Sequence, residues 1–338
     1  MREELRYLRI RLKSGQSTHP ASLCSAPLSR GEFGRSSQAL TLLRGVARTT
    51  KSGESGCVPA SGRLFLVAAL LWLAQPAAGQ WVEPPGQGWV QVGFYYHNTR
   101  NGFDAQGNRE RVFTTDGRSI TTSLYLTGAV GVVRGLDAWV AVPYHWFQFN
   151  DIFDERDRVG IGDPRLHLRV GPELFGRRWP VPVTVRAGVK LPAGEYTRDA
   201  EIIPLTEGQR DWEVVLELGH SFWPRPVYVM GWLGYRWRET NEDAARKPGN
   251  ERFFLLAAGG TARAFSWKLT AEGLFGETPE LLGLPVGSAR RRLVQLLPSV
   301  GHRLGPGNLE VGGRFPVLGR NLPAGPALFI GYFFKWGQ

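Results

Sequence analysis

The feature that most constrains this chain is an alternation of apolar and polar residues that starts near Gly88 and runs to the carboxyl end. Val90, Val92, Phe94 and Tyr96 alternate with Trp89, Gln91, Gly93 and Tyr95. Leu166, Leu168 and Val170 alternate with Arg165, His167 and Arg169, and Trp212, Val214, Leu216 and Leu218 with Glu213 and Glu217. A period of two places such sets on opposite faces of a strand. Carried along the chain, the pattern predicts about twelve strands of roughly ten residues, the length that crosses a bilayer when tilted. The run from Phe253 to Gly260 is apolar on both faces, so its register stays open.

The connections separate two all-β architectures. Tight turns are expected after every second strand, at Arg134-Gly135, Gly176 to Pro180, Pro224 to Pro226, Ala262 to Ala264 and Gly305 to Asn308. Longer, mostly polar connections fall between them, as in Arg100 to Gly117, Phe149 to Gly160, Pro192 to Arg210 and Glu239 to Asn250. Strict alternation of short and long is the pattern of an outer-membrane barrel, and Greek-key crossings in a sandwich would break it. The expected fold is therefore all-β, a transmembrane antiparallel up-and-down β-barrel of about 12 strands. Trp89, Trp139, Trp146, Trp179, Trp212, Trp223, Trp237 and Trp336 fall near strand ends, where an interfacial belt would place them; Trp232 does not.

Ahead of the strands, the apolar run from Leu64 to Ala74 follows Arg63 and precedes the small residues Ala77, Ala78 and Gly79. It is too short to span a bilayer as a helix and reads as a cleaved signal peptide. The expected organisation is an upstream segment at 1–57, either mis-called through a start codon set too early or disordered, a signal peptide at 58–79, and a barrel at 80–338 in the outer membrane of a Gram-negative cell. Residues 1–79 hold 11 of the 41 Lys and Arg but only 4 of the 30 Asp and Glu, so the high net charge belongs mainly to the leader. That removes the electrostatic argument for nucleic acid as a partner. Cys24 and Cys57 both precede the cleavage site, which leaves no disulfide framework and no thiolate metal site in the barrel.

Charge on a barrel strand costs about 2–4 kcal/mol at the lipid midplane, so charged strand residues are expected to face the lumen. The candidate lumen-lining residues are Arg165, Arg169, Arg186, Lys190, Glu213, Glu217, Arg236, Lys268, Glu272, Glu310 and Arg314, with Arg303 and Lys335 on the same parity. They either pair across strands in a packed interior or line a water path. Twelve strands lie between the eight whose side chains fill the lumen and the 16–18 of open porins, so a narrow channel fits the geometry. No catalytic, cofactor or metal site is expected. His97, His145, His167, His220 and His302 lie in no recognised motif, and His145, His167 and Glu217 could converge only through the fold. Tyr95, Tyr125, Tyr228 and Trp232 are expected to face inward, too sparse for an aromatic stripe.

Gly160-Ile-Gly-Asp-Pro164 opens the alternating strand Arg165 to Arg169, and Pro182 to Pro192 is followed by Gly194. Asp211 to Leu218, Gly231 to Arg236 and Gly331 to Phe334 come in order after them. From about Gly88 to its end the chain resembles the family of outer-membrane transporters named for the meta-pathway of phenol degradation. The resemblance implies passage of small hydrophobic or aromatic solutes. Asp163 itself reads as a turn cap. The expected function is an outer-membrane channel or transporter, with a plugged structural or interaction barrel as the alternative and a lipid-acting enzyme third. Outer-membrane lipid, a small-molecule solute and the barrel assembly machinery are the expected partners.

Overall fold

The computed structural model describes residues 82–337 except 114–116, 151–154, 178, 180, 195, 197–201 and 223. The upstream segment, the signal peptide and Trp223 thus lie outside the described residues. Twelve wall strands follow one another: β1 Gly88–Thr99, β2 Arg118–Val133, β3 Leu136–Asn150, β4 Arg165–Val170, β5 Val183–Lys190 and β6 Asp211–Ser221. Then come β7 Val227–Arg238, β8 Glu251–Ala262, β9 Phe265–Gly276, β10 Arg292–Leu304, β11 Gly307–Arg320 and β12 Ala327–Trp336. Each is antiparallel to its successor, and β12 returns to β1 in register from Gly88↔Trp336 to His97↔Ala327. The sheet therefore closes, which removes every free edge from a surface that meets lipid.

Alternation decides what each face meets. On β1 and β2, Val92, Phe94, Leu124 and Leu126 are exposed on the outside, while Gln91, Ser123 and Thr127 are buried inside. The same holds around the barrel, so an apolar exterior encloses a largely polar interior, the arrangement of a transmembrane barrel. In the apolar run of β8, Glu251, Phe253, Leu255 and Ala257 turn inward and Leu256 turns out. The inward charge of Glu251 settles the register that hydrophobicity alone left open.

Two expectations about the connections need correction. The link between β4 and β5 spans residues 171–182 and holds a 3-10 turn at Pro172–Phe175, so it is not a tight turn. The last long connection is only the short stretch 321–326 between β11 and β12. Orientation alternates strictly, then, but length does not. The end carrying the β2–β3, β6–β7, β8–β9 and β10–β11 turns, with the starts of β1 and the end of β12, is termed the turn end; the other is the loop end.

The wall is also interrupted once. β3 pairs with β4 over Leu136 to Ala141 and with a separate strand, Glu155–Ile161, over Tyr144 to Asn150. Residues 162–164 break what would otherwise be one strand.

The tryptophan belt is smaller than its sequence positions imply. Trp146, Trp212 and Trp237 are exposed near the loop end, and Trp179, Trp267 and Trp336 near the turn end. Trp89 and Trp139, in contrast, point into the lumen at 4% and 8% exposure. Their position near strand ends matches a belt, but their parity is that of the inner face.

Candidate functional site

At the turn end of the lumen the residues that precede β1 are fastened to the wall. Gly86 N–H donates to the Gly131 carbonyl and Gly131 N–H to the Gln87 carbonyl, both at 2.9 Å, which straps 84–87 onto β2. A Cβ at Gly131 would lie 2.0 Å from the Pro84 carbonyl oxygen, so glycine is what permits this approach. Val82 and Glu83 are buried there, and Glu83 pairs with Lys335 at 2.9 Å. Above the strap, the ring of Trp89 meets Trp139 edge-on at 4.9 Å and Phe333 at 5.5 Å.

From that end a lattice of opposite charges climbs the wall formed by β3 to β8. Asp137 and Arg169 face each other across β3 and β4 and form an ion pair. Arg169 and Arg186 are also direct neighbours, and like charges opposite one another repel. Glu217 relieves this by reaching both, at 3.6 Å from Arg169 and 2.7 Å from Arg186, while Thr184 donates to its other oxygen. Glu213 collects His167 at 2.8 Å, Arg236 at 2.9 Å and Arg165 at 3.4 Å. His167 can reach Glu213 because Gly188 stands between them; a Cβ there would lie 2.0 Å from the imidazole.

At the loop end Glu251 takes Arg236 and Arg291, each at 2.7 Å, and Arg238 at 3.3 Å. Arg238 also bridges Glu207 and Asp211, and Lys190 ties Asp211, Asp163 and Glu207 together. Asp163 accepts the N–H groups of Ala193 and Glu207, so it fastens the connection 191–210 rather than capping its own turn. Glu207 lies in that connection outside the strands. Burial alone would raise its pKa, but Arg238 and Lys190 hold it well below the usual carboxylate range. The lattice joins seven cations, Arg165, Arg169, Arg186, Lys190, Arg236, Arg238 and Arg291, to seven carboxylates, Asp137, Asp163, Glu207, Asp211, Glu213, Glu217 and Glu251. Its net charge is zero, so it gives the wall rigidity without a selecting field.

The candidate residues on the remaining strands also face inward. Lys268 pairs with Glu310 at 2.7 Å, Glu272 accepts from Gln295 at 2.9 Å, and the Arg314 guanidinium lies 5.4 Å from the centre of the Tyr95 ring. Arg303, by contrast, is exposed on the turn-end rim. The three groups His145, His167 and Glu217 do not converge. His167 bonds Glu213, and His145 pairs across the strands with Ser123 at 2.8 Å, where both are buried. The candidate set omitted Asp137, Asp211 and Glu251, each an inward first or second residue of its strand. Parity from the neighbouring strand is the signal that finds them.

A cavity of about 90 Å³ lies at mid-height, bounded by side chains from β2 to β10. One water needs roughly 10–15 Å³ on such a scale, so there is room for several waters or a small solute. Trp139, Trp232, Phe253, Leu255, Leu274 and Leu293 form its apolar part; Arg165, His167, Arg186, Glu213, Arg236, Glu272 and Gln295 form its polar part. Arg186 stacks on Trp139 and Trp232 at 5.4 and 5.0 Å, and Arg236 on Phe253 at 5.0 Å, which holds the rings against the charged wall. The lumen is thus richer in aromatics than the four inward residues expected from sequence.

No family model matches the chain, and no curated protein matches it. Among solved structures, an outer membrane channel from Pseudomonas putida F1 aligns with a TM-score of 0.65 at 14% identity, over 78% of this chain and 100% of that one. The translocator domain of the autotransporter NalP from Neisseria meningitidis aligns at a TM-score of 0.42 and 10% identity, over 82% of this chain and 97% of that one, a likeness too low to argue from. The chain is a transmembrane β-barrel of twelve strands, similar in fold to an outer membrane channel.

Proposed function

We propose that this barrel sits in a bacterial outer membrane and admits small solutes that combine an apolar or aromatic part with a polar end. The observation that carries the reading is the mixed lining of the cavity, where Trp139, Trp232 and Phe253 stand beside Arg165, Arg236 and Gln295. Such pockets take apolar ligands by their rings and orient them by a few polar groups. A wide path for ions is not favoured, because the wall charges are already neutralised by one another. No catalytic role is assigned: Ser123 and His145 are both buried in a cross-strand pair. Lipid around the barrel, the solute, and the assembly machinery during biogenesis remain the partners of this reading, with no nucleic acid.

Uptake by protein-containing liposomes tests it. An aromatic carboxylate should enter faster than a sugar of similar size, and Trp139→Ala with Trp232→Ala should abolish that preference. Absence of uptake and of single-channel conductance for every solute class would sink the proposal. It would favour a plugged barrel whose loops are the working surface, a second reading supported by the cluster of Trp89, Trp139 and Phe333.

A further inference from the structure

The cations of the lumen are paired, but a second set is not. Arg134, Arg177, Arg225, Arg263 and Arg303 are all exposed at the turn end, and none of the five makes an ion pair among the described residues. The turn-end connections 134–135, 171–182, 222–226, 263–264 and 305–306 contain a single acidic residue, Glu173. The loop-end connections are mixed in sign, as at Glu239, Glu242, Asp243 and Arg246.

The height of these arginines is set by their neighbours. Arg134 follows the exposed Val132 and Val133, Arg225 follows Phe222, Arg263 comes just before Phe265, and Arg303 precedes Leu304. Arg177 lies between Phe175 and Trp179, which are 72% and 56% exposed. On these five connections the apolar exterior therefore ends at aromatic and aliphatic side chains, and an exposed arginine lies within three residues of each in sequence. In a bilayer that level is the headgroup layer, where aromatic rings collect and where phosphate oxygens accept paired N–H bonds from arginine.

We propose that the turn end is a collar for the phosphate headgroups of anionic phospholipids in the leaflet it meets. The proposal rests on the barrel spanning a bilayer. Five arginines against one carboxylate, Glu173, leave a net positive rim that selects an anionic over a zwitterionic headgroup, each arginine near such a surface strengthening association on the order of fivefold. The ring of apolar side chains beneath commits the occupant to lipid, because a free anion gains nothing from it.

The test uses the purified barrel inserted in vesicles of phosphatidylcholine mixed with phosphatidylglycerol, with retained lipid read by native mass spectrometry. Phosphatidylglycerol should be enriched several-fold over its share in the vesicle. R134Q/R177Q/R225Q/R263Q/R303Q should return retention to the vesicle ratio, R225Q/R263Q should give an intermediate value, and the loop-end variant R109Q/R118Q/R158Q should match the parent. Enrichment that survives in the five-site variant, or that excess inorganic phosphate abolishes, overturns the collar. Insertion is read separately from heat-modifiable gel mobility. A barrel that inserts without lipid preference overturns the collar alone, and a chain that never inserts overturns the spanning reading with it.

Discussion

The backbone N–H of Glu83 donates to the Asp137 carboxylate at 2.9 Å, the same carboxylate that holds Arg169. The strap across the turn end and the charge lattice of the wall therefore share one group. Asp137→Asn would leave Arg169 buried with only Glu217 at 3.6 Å. Removing one partner of a buried ion pair costs about 3–5 kcal/mol. The variant should unfold at a markedly lower temperature in detergent, read as the loss of heat-modifiable mobility.

Deleting residues 82–86 should open the turn end and raise single-channel conductance several-fold. Gly131→Val offers a milder version, since its Cβ lies 2.0 Å from the Pro84 carbonyl oxygen and the strap cannot stay. If conductance is unchanged in both, the obstruction is the Trp89, Trp139 and Phe333 cluster rather than the strap.

Gly188→Ala places a methyl group 2.0 Å from the His167 ring. The imidazole must leave Glu213 or the strands must part, at a cost of about 1–3 kcal/mol for an overpacked site. Thermal unfolding checks the magnitude. Recovery of parental stability in Gly188→Ala combined with His167→Ala would show that the clash, not the backbone, is responsible.

Glu207 links Lys190 and Arg238 outside the membrane span, and those cations lower its pKa. A depressed carboxylate stabilises the fold at every pH above its unfolded value and loses that contribution as the pH falls through its folded one. The connection 191–210 should therefore resist proteolysis through neutral and mildly acidic conditions and give way only in stronger acid. Glu207→Gln should be cut faster already at neutral pH; equal rates for variant and parent would show that the ion pairs do not hold the loop.

The barrel was legible because strand parity is a local property: Leu166 and Leu168 against Arg165 and Arg169 declare two faces without reference to anything distant. The same parity placed Arg186, Glu213, Glu217 and Arg236 on the inner face. It could not say that Glu217 would lie between two arginines, because that depends on the register of β4, β5 and β6 together. Trp89 and Trp139 misled for a related reason. Their distance from a strand end suggested a belt, although their parity is that of the inner face, where Trp89 meets Trp139 and Phe333 of the adjoining strand β12. The strap at 82–87 has no periodic signal at all; it is fixed by backbone bonds to Gly131, on a strand more than forty residues away.

The zero sum of the charged wall has a consequence for assembly. Arg169 on β4 is neutralised by Asp137 on β3 and Glu217 on β6, so neither β3–β4 nor β4–β6 is electrically complete alone. Any intermediate that inserts part of this wall carries uncompensated ions into a low-dielectric setting, a penalty that vanishes only when the last partner arrives. The full charge balance of this wall thus needs the strands from β3 to β8 together with the flanking Asp163, Glu207 and Arg291.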